Sequence, residues 1–246
     1  GYDLNYLGGA SLEFAGKGAF YETHGYETVQ GLDELLPTIP DPAYRAEWGL
    51  QDDTLFALAR QKLEKLSAQD RPFVLTMLTL DTHHPHGHGE TNRSCQDVKY
   101  QDGSNKLLNS VMCDDKLAAE FVQEALDGPL AENTVVVVMS DHLALGNDAT
   151  DILNSGPRRN LAMIFDPATP EGQRVDRPGT TLDMGPTILS VMGYGIDRMG
   201  FGVNLLGTSQ TLPEELGVAA DDSKPLDQHL LGYQTTYARL WDYPDL

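Results

Sequence analysis

Short runs of aliphatic and β-branched residues alternate along the chain with longer segments whose apolar residues recur at helical spacing. The short runs predict strands at residues 26–29, 73–80, 134–139 and 161–165. The longer segments predict helices at residues 20–24, 52–66, 107–126 and 183–192. Because the two kinds of element alternate, the pattern predicts an α/β fold with a mostly parallel central sheet flanked by helices.

The strand at residues 134–139 contains four consecutive valines, which predicts burial on both faces inside a parallel sheet. Asp141 and His142 follow its carboxyl end, where open α/β sheets bind their ligands. A carboxylate and an imidazole both ligate divalent metals. The alternative is a turn whose Asp caps the next segment and whose His has no role.

The strand at residues 73–80 is also followed by polar residues that could bind a ligand or take part in catalysis. Asp81 follows it, and four histidines lie within six residues: His83, His84, His86 and His88. We expect a site here, with His83 or His84 as the functional group because Pro85 ends the strand direction after them. His86 and His88 are expected to be solvated loop residues.

Lys17 lies between Gly16 and Gly18, so little side-chain bulk surrounds it. Such a lysine could reach a phosphate as a point charge, and the alternative is an exposed surface lysine. Asp52 and Asp53 open the helix at residues 52–66, where capping and the helix dipole favour acids.

The chain has 246 residues and a formal net charge of −20, which argues against nucleic acid and against an anionic membrane surface as direct partners. No run is long and apolar enough to span a bilayer. Cys95 and Cys113 flank a polar loop and the start of a helix. A disulfide between them would imply an oxidising compartment, and the alternative is two free thiols in a cytosolic protein.

Three segments together resemble the alkaline phosphatase-like superfamily of sulfatases and phosphoglycerol transferases. They are Asp81-Thr-His-His-Pro85, Ser140-Asp-His142, and Asp183-Met-Gly-Pro-Thr-Ile-Leu189 with Gly193 and the later Leu205-Leu-Gly207. Within it, the resemblance is strongest to the phosphoglycerol transferases of osmoregulated periplasmic glucans and weaker to lipoteichoic acid synthases. The resemblance implies that residues 1–209 form an alkaline phosphatase-like domain and that residues 210–246 are a C-terminal extension.

The resemblance also implies roles for individual residues. Asp141 and His142 would bind one divalent metal, manganese above magnesium or zinc. His83 would contact the substrate and move a proton, and Lys17 and His84 would bind the substrate with it.

Two further segments resemble the family with departures. Phe14-Ala-Gly-Lys17 is similar to a Phe-Trp-Asn-Arg segment of the family, with Ala15 in place of the Trp, and Ala10 stands where an acid is expected. Trp48-Gly-Leu-Gln-Asp52 is similar to a segment that precedes a helix, and we expect a structural role for it.

The implied activity is transfer of glycerophosphoryl groups from phosphatidylglycerol to periplasmic glucans through a covalent Thr or Ser intermediate. The family's first strand and nucleophile are expected upstream of Gly1, so that this chain is an N-terminally truncated domain that is inactive alone. Its parent would be periplasmic and anchored in the inner membrane. The alternatives are a sulfatase or phosphodiesterase of the same superfamily and an inactive binding module.

Overall fold

The computed structural model describes residues 1–129, 131–218 and 224–241. Its strands are β1 (Asp3–Gly8), β2 (Thr28–Gln30), β3 (Phe73–Leu78), β4 (Val136–Met139), β5 (Ala162–Phe165), β6 (Arg198–Met199) and β7 (Gly202–Val203). Its helices are α1 (Lys17–Thr23), α2 (Leu32–Leu35), α3 (Asp52–Ser67), α4 (Lys106–Asp127), α5 (Thr150–Leu153), α6 (Met184–Val191), α7 (Leu212–Leu216), α8 (Lys224–Leu231) and α9 (Gln234–Trp241).

The chain divides into two compact units, residues 1–124 with 144–151 and residues 125–143 with 152–246. The first unit holds a parallel three-stranded sheet in the order β2-β1-β3. Its aliphatic core joins this sheet to α2 and α3 through Leu7, Leu35, Ile39, Leu50, Leu55 and Ala59. The prediction of an α/β fold with a parallel central sheet is therefore confirmed.

The strands β1 and β3 end in register, with Gly8 opposite Leu78. Loops that follow parallel strands leave the sheet at the same edge. The loop after β1 and the loop after β3 therefore leave the sheet side by side, and they carry Lys17 and His83.

The sequence pattern did not predict β1, although it is the central strand of the sheet. Asp3–Gly8 holds only three apolar side chains and ends in a glycine. Its buried positions include Asn5, whose amide donates to the Asp3 carboxylate at 2.9 Å. A buried polar residue that bonds to its own strand interrupts the apolar run by which a buried strand is predicted.

The second unit corrects the predicted setting of the valine-rich strand. β4 pairs antiparallel with β5, with Val136 opposite Phe165, and β4 is half-buried with Met139 exposed. The prediction of a strand buried on both faces in a parallel sheet is wrong, because β-branched residues favour any half-buried pleated surface and do not select its direction.

The residues after Gln210 begin with α7, whose first turn is capped by Thr211. Helices α8 and α9 follow, and residues 219–223 and 242–246 lie outside the described residues. The domain boundary at residue 209 stays a prediction. No helix among the described residues has both the length and the apolar content to cross a membrane.

Cys95 and Cys113 are joined by a disulfide with their Cα atoms 5.5 Å apart. Both side chains are buried, and they pack with Phe56 and Leu117. The bridge thus ties the polar loop after β3 to helix α4.

Candidate active site

Two buried aspartates connect the start of α3 to the end of β3. The Asp52 carboxylate accepts hydrogen bonds from the backbone N–H of Leu80 at 2.8 Å and of Asp81 at 2.6 Å. In return, the Asp81 carboxylate accepts from the backbone N–H of Asp52 at 3.1 Å and from the amide of Asn92 at 2.8 Å. Each aspartate satisfies backbone donors of the other's segment, and both are 0% exposed. We call this pair the aspartate clasp.

A third carboxyl group, Asp114 of α4, adjoins the clasp. Its carboxyl interacts with that of Asp52, and this interaction raises the pKa of Asp52 and opposes the rise that burial causes in the pKa of Asp114. Burial raises the pKa of all three groups, to about 6 for Asp81 and Asp114, and the neighbouring carboxylates raise that of Asp52 further. The cluster therefore keeps a proton at pH values where exposed aspartates are ionised.

The clasp brings two ring side chains together. Trp48 precedes Asp52 by four residues, and His83 follows Asp81 by two. Their ring centroids lie 4.3 Å apart. Gly49 assists, because its φ is 155° and a Cβ there would lie 2.1 Å from the carbonyl oxygen of Gly9. Only glycine allows the Trp48 segment to approach the loop after β1 this closely.

His83 is held in one tautomer. Its Nδ1 lies 2.8 Å from the backbone carbonyl of His84, which can only accept, so Nδ1 carries the proton and Nε2 keeps the lone pair. The His84 ring stacks on His83 with centroids 4.6 Å apart. Both predicted functional histidines therefore lie in one ring stack with Trp48.

The other two histidines differ from each other. His86 is exposed and its Nδ1 lies 2.8 Å from the Asp148 carboxylate. His88 was predicted to be solvated, and this is wrong. It is half-buried, and burial lowers its pKa.

Lys17 reaches the same ring stack through Phe14. Ala15 and Gly16 both adopt the left-handed conformation, with φ of 56° and 66°, and turn the chain sharply between Phe14 and Lys17. The Lys17 Nζ atom lies 4.8 Å from the centroid of the Phe14 ring. Phe14 in turn contacts Trp48 edge-on, with centroids 5.6 Å apart.

These contacts form one continuous series of side chains, which we call the aromatic row: Lys17, Phe14, Trp48, His83 and His84. The three residues predicted to bind substrate are all members. The row therefore combines a cation, two imidazoles and two aromatic rings at one edge of the sheet.

Asp141 and His142 lie in the second unit, directly after β4. The Nδ1 atom of His142 lies 2.8 Å from the carbonyl of Leu143, so it carries the proton and leaves the lone pair on Nε2. Nε2 is 3.5 Å from Asp141 Oδ2. Two ligands about 2.1 Å from one tetrahedral ion are about 3.4 Å apart, so this pair fits a shared metal.

A complete metal centre is not present among the described residues, since no group of three or more His, Cys, Asp or Glu side chains there could hold an ion. Asp141 and His142 would supply two ligands of such a centre. Their convergence with His83 in one site stays a prediction, because His83 belongs to the other unit.

Three residues of the first-unit site were missed or undervalued in the sequence. Trp48 was expected to be structural, yet it is the centre of the aromatic row. Asp81 was noted only as part of a motif. Asp114 had a readable signal, since it lies seven residues after Leu107 and seven before Phe121, on the apolar stripe of α4.

The parallel sheet, whose following loops carry Lys17, His83 and His84, has the α/β fold of the alkaline phosphatase superfamily. The family model described as sulfatase matches residues 1–194. The chain belongs to the sulfatase family.

The relatives narrow this class. The chain is 35% identical over 244 residues to phosphoglycerol transferase I of Xanthomonas campestris pv. campestris strain B100, covering 98% of this chain and 34% of that protein. It is 36% identical over 246 residues to phosphoglycerol transferase I of Salmonella choleraesuis, covering 99% of this chain and 31% of that protein. The chain spans about a third of the length of these relatives.

Two solved structures share the fold. A protein in the alkaline phosphatase superfamily from Vibrio parahaemolyticus matches with a TM-score of 0.64 and 21% identity, over 87% of this chain and 50% of that chain. The lipoteichoic acid synthase LtaP from Listeria monocytogenes matches with a TM-score of 0.67 and 19% identity, over 83% and 53%. This superfamily generally uses a divalent metal.

Proposed function

We propose that this chain is part of an enzyme that transfers glycerophosphoryl groups from phosphatidylglycerol to periplasmic glucans. The observation that carries the proposal is the aromatic row, which places the Lys17 cation and the His83 imidazole on one surface through Phe14 and Trp48. A transferred phosphodiester needs a positive charge for its oxygens and a group that handles the proton of the acceptor hydroxyl.

Lys17 binds the phosphate of the donor. Its ammonium group is a compact point charge, and a chain of net charge −20 needs such a local cation to hold an anion. His84, stacked on His83, donates a further hydrogen bond to the headgroup.

His83 takes the proton of the acceptor hydroxyl. Its Nδ1 proton is committed to the carbonyl of His84, so the lone pair on Nε2 is the basic site. As the acceptor oxygen forms its bond to phosphorus, the bond between phosphorus and the Thr or Ser oxygen of the covalent intermediate breaks, and the hydroxyl proton moves to Nε2. The Asp52–Asp81 clasp keeps His83 in place through Leu80 and Asp81.

Asp141 and His142 would hold one divalent metal, manganese in preference to magnesium or zinc. Such a metal would supply positive charge to the phosphoryl oxygens and to the nucleophile. The proposal assigns the nucleophile to a Thr or Ser upstream of Gly1, and with it the remaining metal ligands. It also makes the parent protein periplasmic and membrane-anchored, a setting that suits the Cys95–Cys113 disulfide.

A graft tests the proposal. The matching 244 residues of the Xanthomonas campestris relative are replaced by this chain, and transfer of labelled glycerol from phosphatidylglycerol to glucan is measured with manganese present. We expect transfer, and a loss of about 100-fold or more in the Asp141→Ala and His83→Ala variants. His24→Ala, a change at an exposed histidine outside the row, is the matched control and should keep full activity.

Other results of the graft experiment would favour one of the alternative functions. Labelled glycerol phosphate released to water regardless of glucan would replace this proposal by a hydrolase of the same superfamily. A folded graft that moves no label, beside an active parent relative, would reject the proposal in favour of a binding module. The chain alone is expected to release no diacylglycerol, and turnover by it would contradict the assignment of the nucleophile to an upstream segment.

A further inference from the structure

Two large aromatic side chains of the row face solvent. Phe14 is 52% exposed and Trp48 is 37% exposed, although both pack against other members of the row. Neither ring belongs to the two buried hydrophobic clusters of the first unit. Exposed aromatic rings beside groups that bind and react are characteristic of ligand sites, in which apolar area is covered on binding.

The surroundings of these rings select the ligand. The His83 imidazole adjoins Trp48 and the His84 imidazole adjoins His83, so apolar ring surface and hydrogen-bonding nitrogen lie side by side in the row. A pyranose ring has the matching character, with C–H groups on its faces and hydroxyls on its rim.

We propose that Phe14 and Trp48 form the acceptor subsite and bind a glucosyl ring of the glucan. This inference rests on the proposed function and adds to it where the acceptor lies. A sugar packed on Trp48 would have its hydroxyls beside His83, whose ring is 4.3 Å away and whose Nε2 carries the lone pair. The subsite therefore delivers a hydroxyl to the group that removes its proton.

A lipid tail is the competing occupant of the same rings. An acyl chain gains most from a long apolar groove, whereas the two rings of this row are bounded by Lys17 at one end and by two imidazoles at the other. An acyl chain bound there would desolvate those groups and offer them no hydrogen bonds. The polar groups on both sides of the two rings thus favour the sugar.

The chain offers a direct reporter of binding. It contains two tryptophans, Trp48 and Trp241, so the Trp241→Phe variant leaves Trp48 as its single tryptophan. The probes are neutral glucose oligosaccharides with β-1,2 or β-1,4 linkages, and separately a short-chain phosphatidylglycerol. We expect a saturable change in Trp48 emission with an oligosaccharide and a smaller or absent one with the lipid.

Substitutions then locate the site by calorimetry with the same oligosaccharide. Phe14→Ala and Trp48→Ala should each weaken binding about tenfold or more, and Trp48→Phe should keep most of it. Phe20→Ala is the matched control, because Phe20 is a similarly exposed ring that contacts Tyr21 and His24 and lies outside the row. Circular dichroism melts establish that each variant is folded.

The outcomes separate this inference from the proposed function. No saturable oligosaccharide binding, or binding unchanged by both alanine variants, would overturn the acceptor subsite. A lipid response lost in Phe14→Ala would also overturn it and assign the rings to the donor. Because binding is measured without turnover, an inactive graft with intact oligosaccharide binding would reject the transfer reaction and leave the subsite standing.

Discussion

Asp52 accepts a hydrogen bond from the backbone N–H of Asp81 at 2.6 Å, and Asp81 accepts one from the backbone N–H of Asp52 at 3.1 Å, in a region closed to solvent. One aspartate opens helix α3 and the other follows strand β3. The pair therefore connects the start of α3 to the segment that follows β3. Trp48 and His83 are the side chains whose contact depends on it.

The clasp can be tested by removing one carboxylate. In Asp52→Ala, the buried N–H groups of Leu80 and Asp81 lose their acceptor, which should lower the free energy of unfolding by roughly 3 kcal/mol. Urea denaturation measures this loss. The exposed Asp33, which also lies in the first turn of a helix, supplies the control Asp33→Ala with a change below about 1 kcal/mol.

Loosening the clasp should also separate the rings. The nuclear Overhauser effect between the Trp48 indole and the His83 imidazole should weaken in Asp52→Asn at temperatures where the variant is still folded. An unchanged ring contact in that folded variant would show that the clasp does not position His83.

Stability should depend on pH through the acid cluster. Burial raises the pKa of Asp81 and Asp114 to about 6 in the folded chain, so the folded state binds more protons than the unfolded state between about pH 4 and pH 6. Their contribution is therefore greatest at the acid end of this window and falls as the pH rises through it. We expect a loss on the order of 2 kcal/mol.

The Asp114→Asn variant isolates this effect. An asparagine amide can donate to Asp52 without a titrating proton, so the variant should lose less stability than the wild type between pH 4 and pH 6. Urea midpoints at four or five pH values measure the difference between the two proteins. Parallel curves would mean that Asp114 does not hold the proton.

Manganese should bind at Asp141 and His142. Because only two ligands are assigned in this chain, we expect weak binding, seen as selective paramagnetic broadening of the amide signals near these residues. Replacing His142 by alanine should remove the broadening. The exposed His24 is the control. Loss of the broadening in His24→Ala, with no loss in the His142 variant, would contradict the assignment.

The disulfide has a covalent signature. Mass spectrometry of the unreduced, digested chain should recover a peptide pair linked through Cys95 and Cys113, whose sequence separation is 18 residues. Closing a loop of that length stabilises a chain by about 3 kcal/mol in the chain-entropy description, so a Cys95→Ser, Cys113→Ser variant should melt at a lower temperature. Two alkylated thiols in the untreated chain would be the contrary result.

The sequence allowed the α/β class and the helices α3, α4 and α6 to be predicted, because each rests on a local pattern. Helix α3 begins at Asp52 as its capping acids predicted. What failed depended on partners distant in sequence. The β4 strand was assigned to the wrong sheet direction, and β1 was missed because Asn5 is buried.

The same limit applies to the site. His83 and Lys17 were predicted from their motifs, whereas the role of Trp48 depends on rings far away in the chain, at Phe14 and His83. The spacing of residues along the sequence does not predict such contacts, because they form only when the folded chain brings the two loops together.

The disulfide joins two chain segments that lie beside the cluster of buried aspartates. Cys113 adjoins Asp114, and Cys95 lies three residues after Asn92, whose amide donates to Asp81. Formation of the disulfide therefore links the two segments that surround the clasp. A chain in a reducing compartment would lack this covalent link, so the surroundings of the clasp would depend on hydrogen bonds and packing alone.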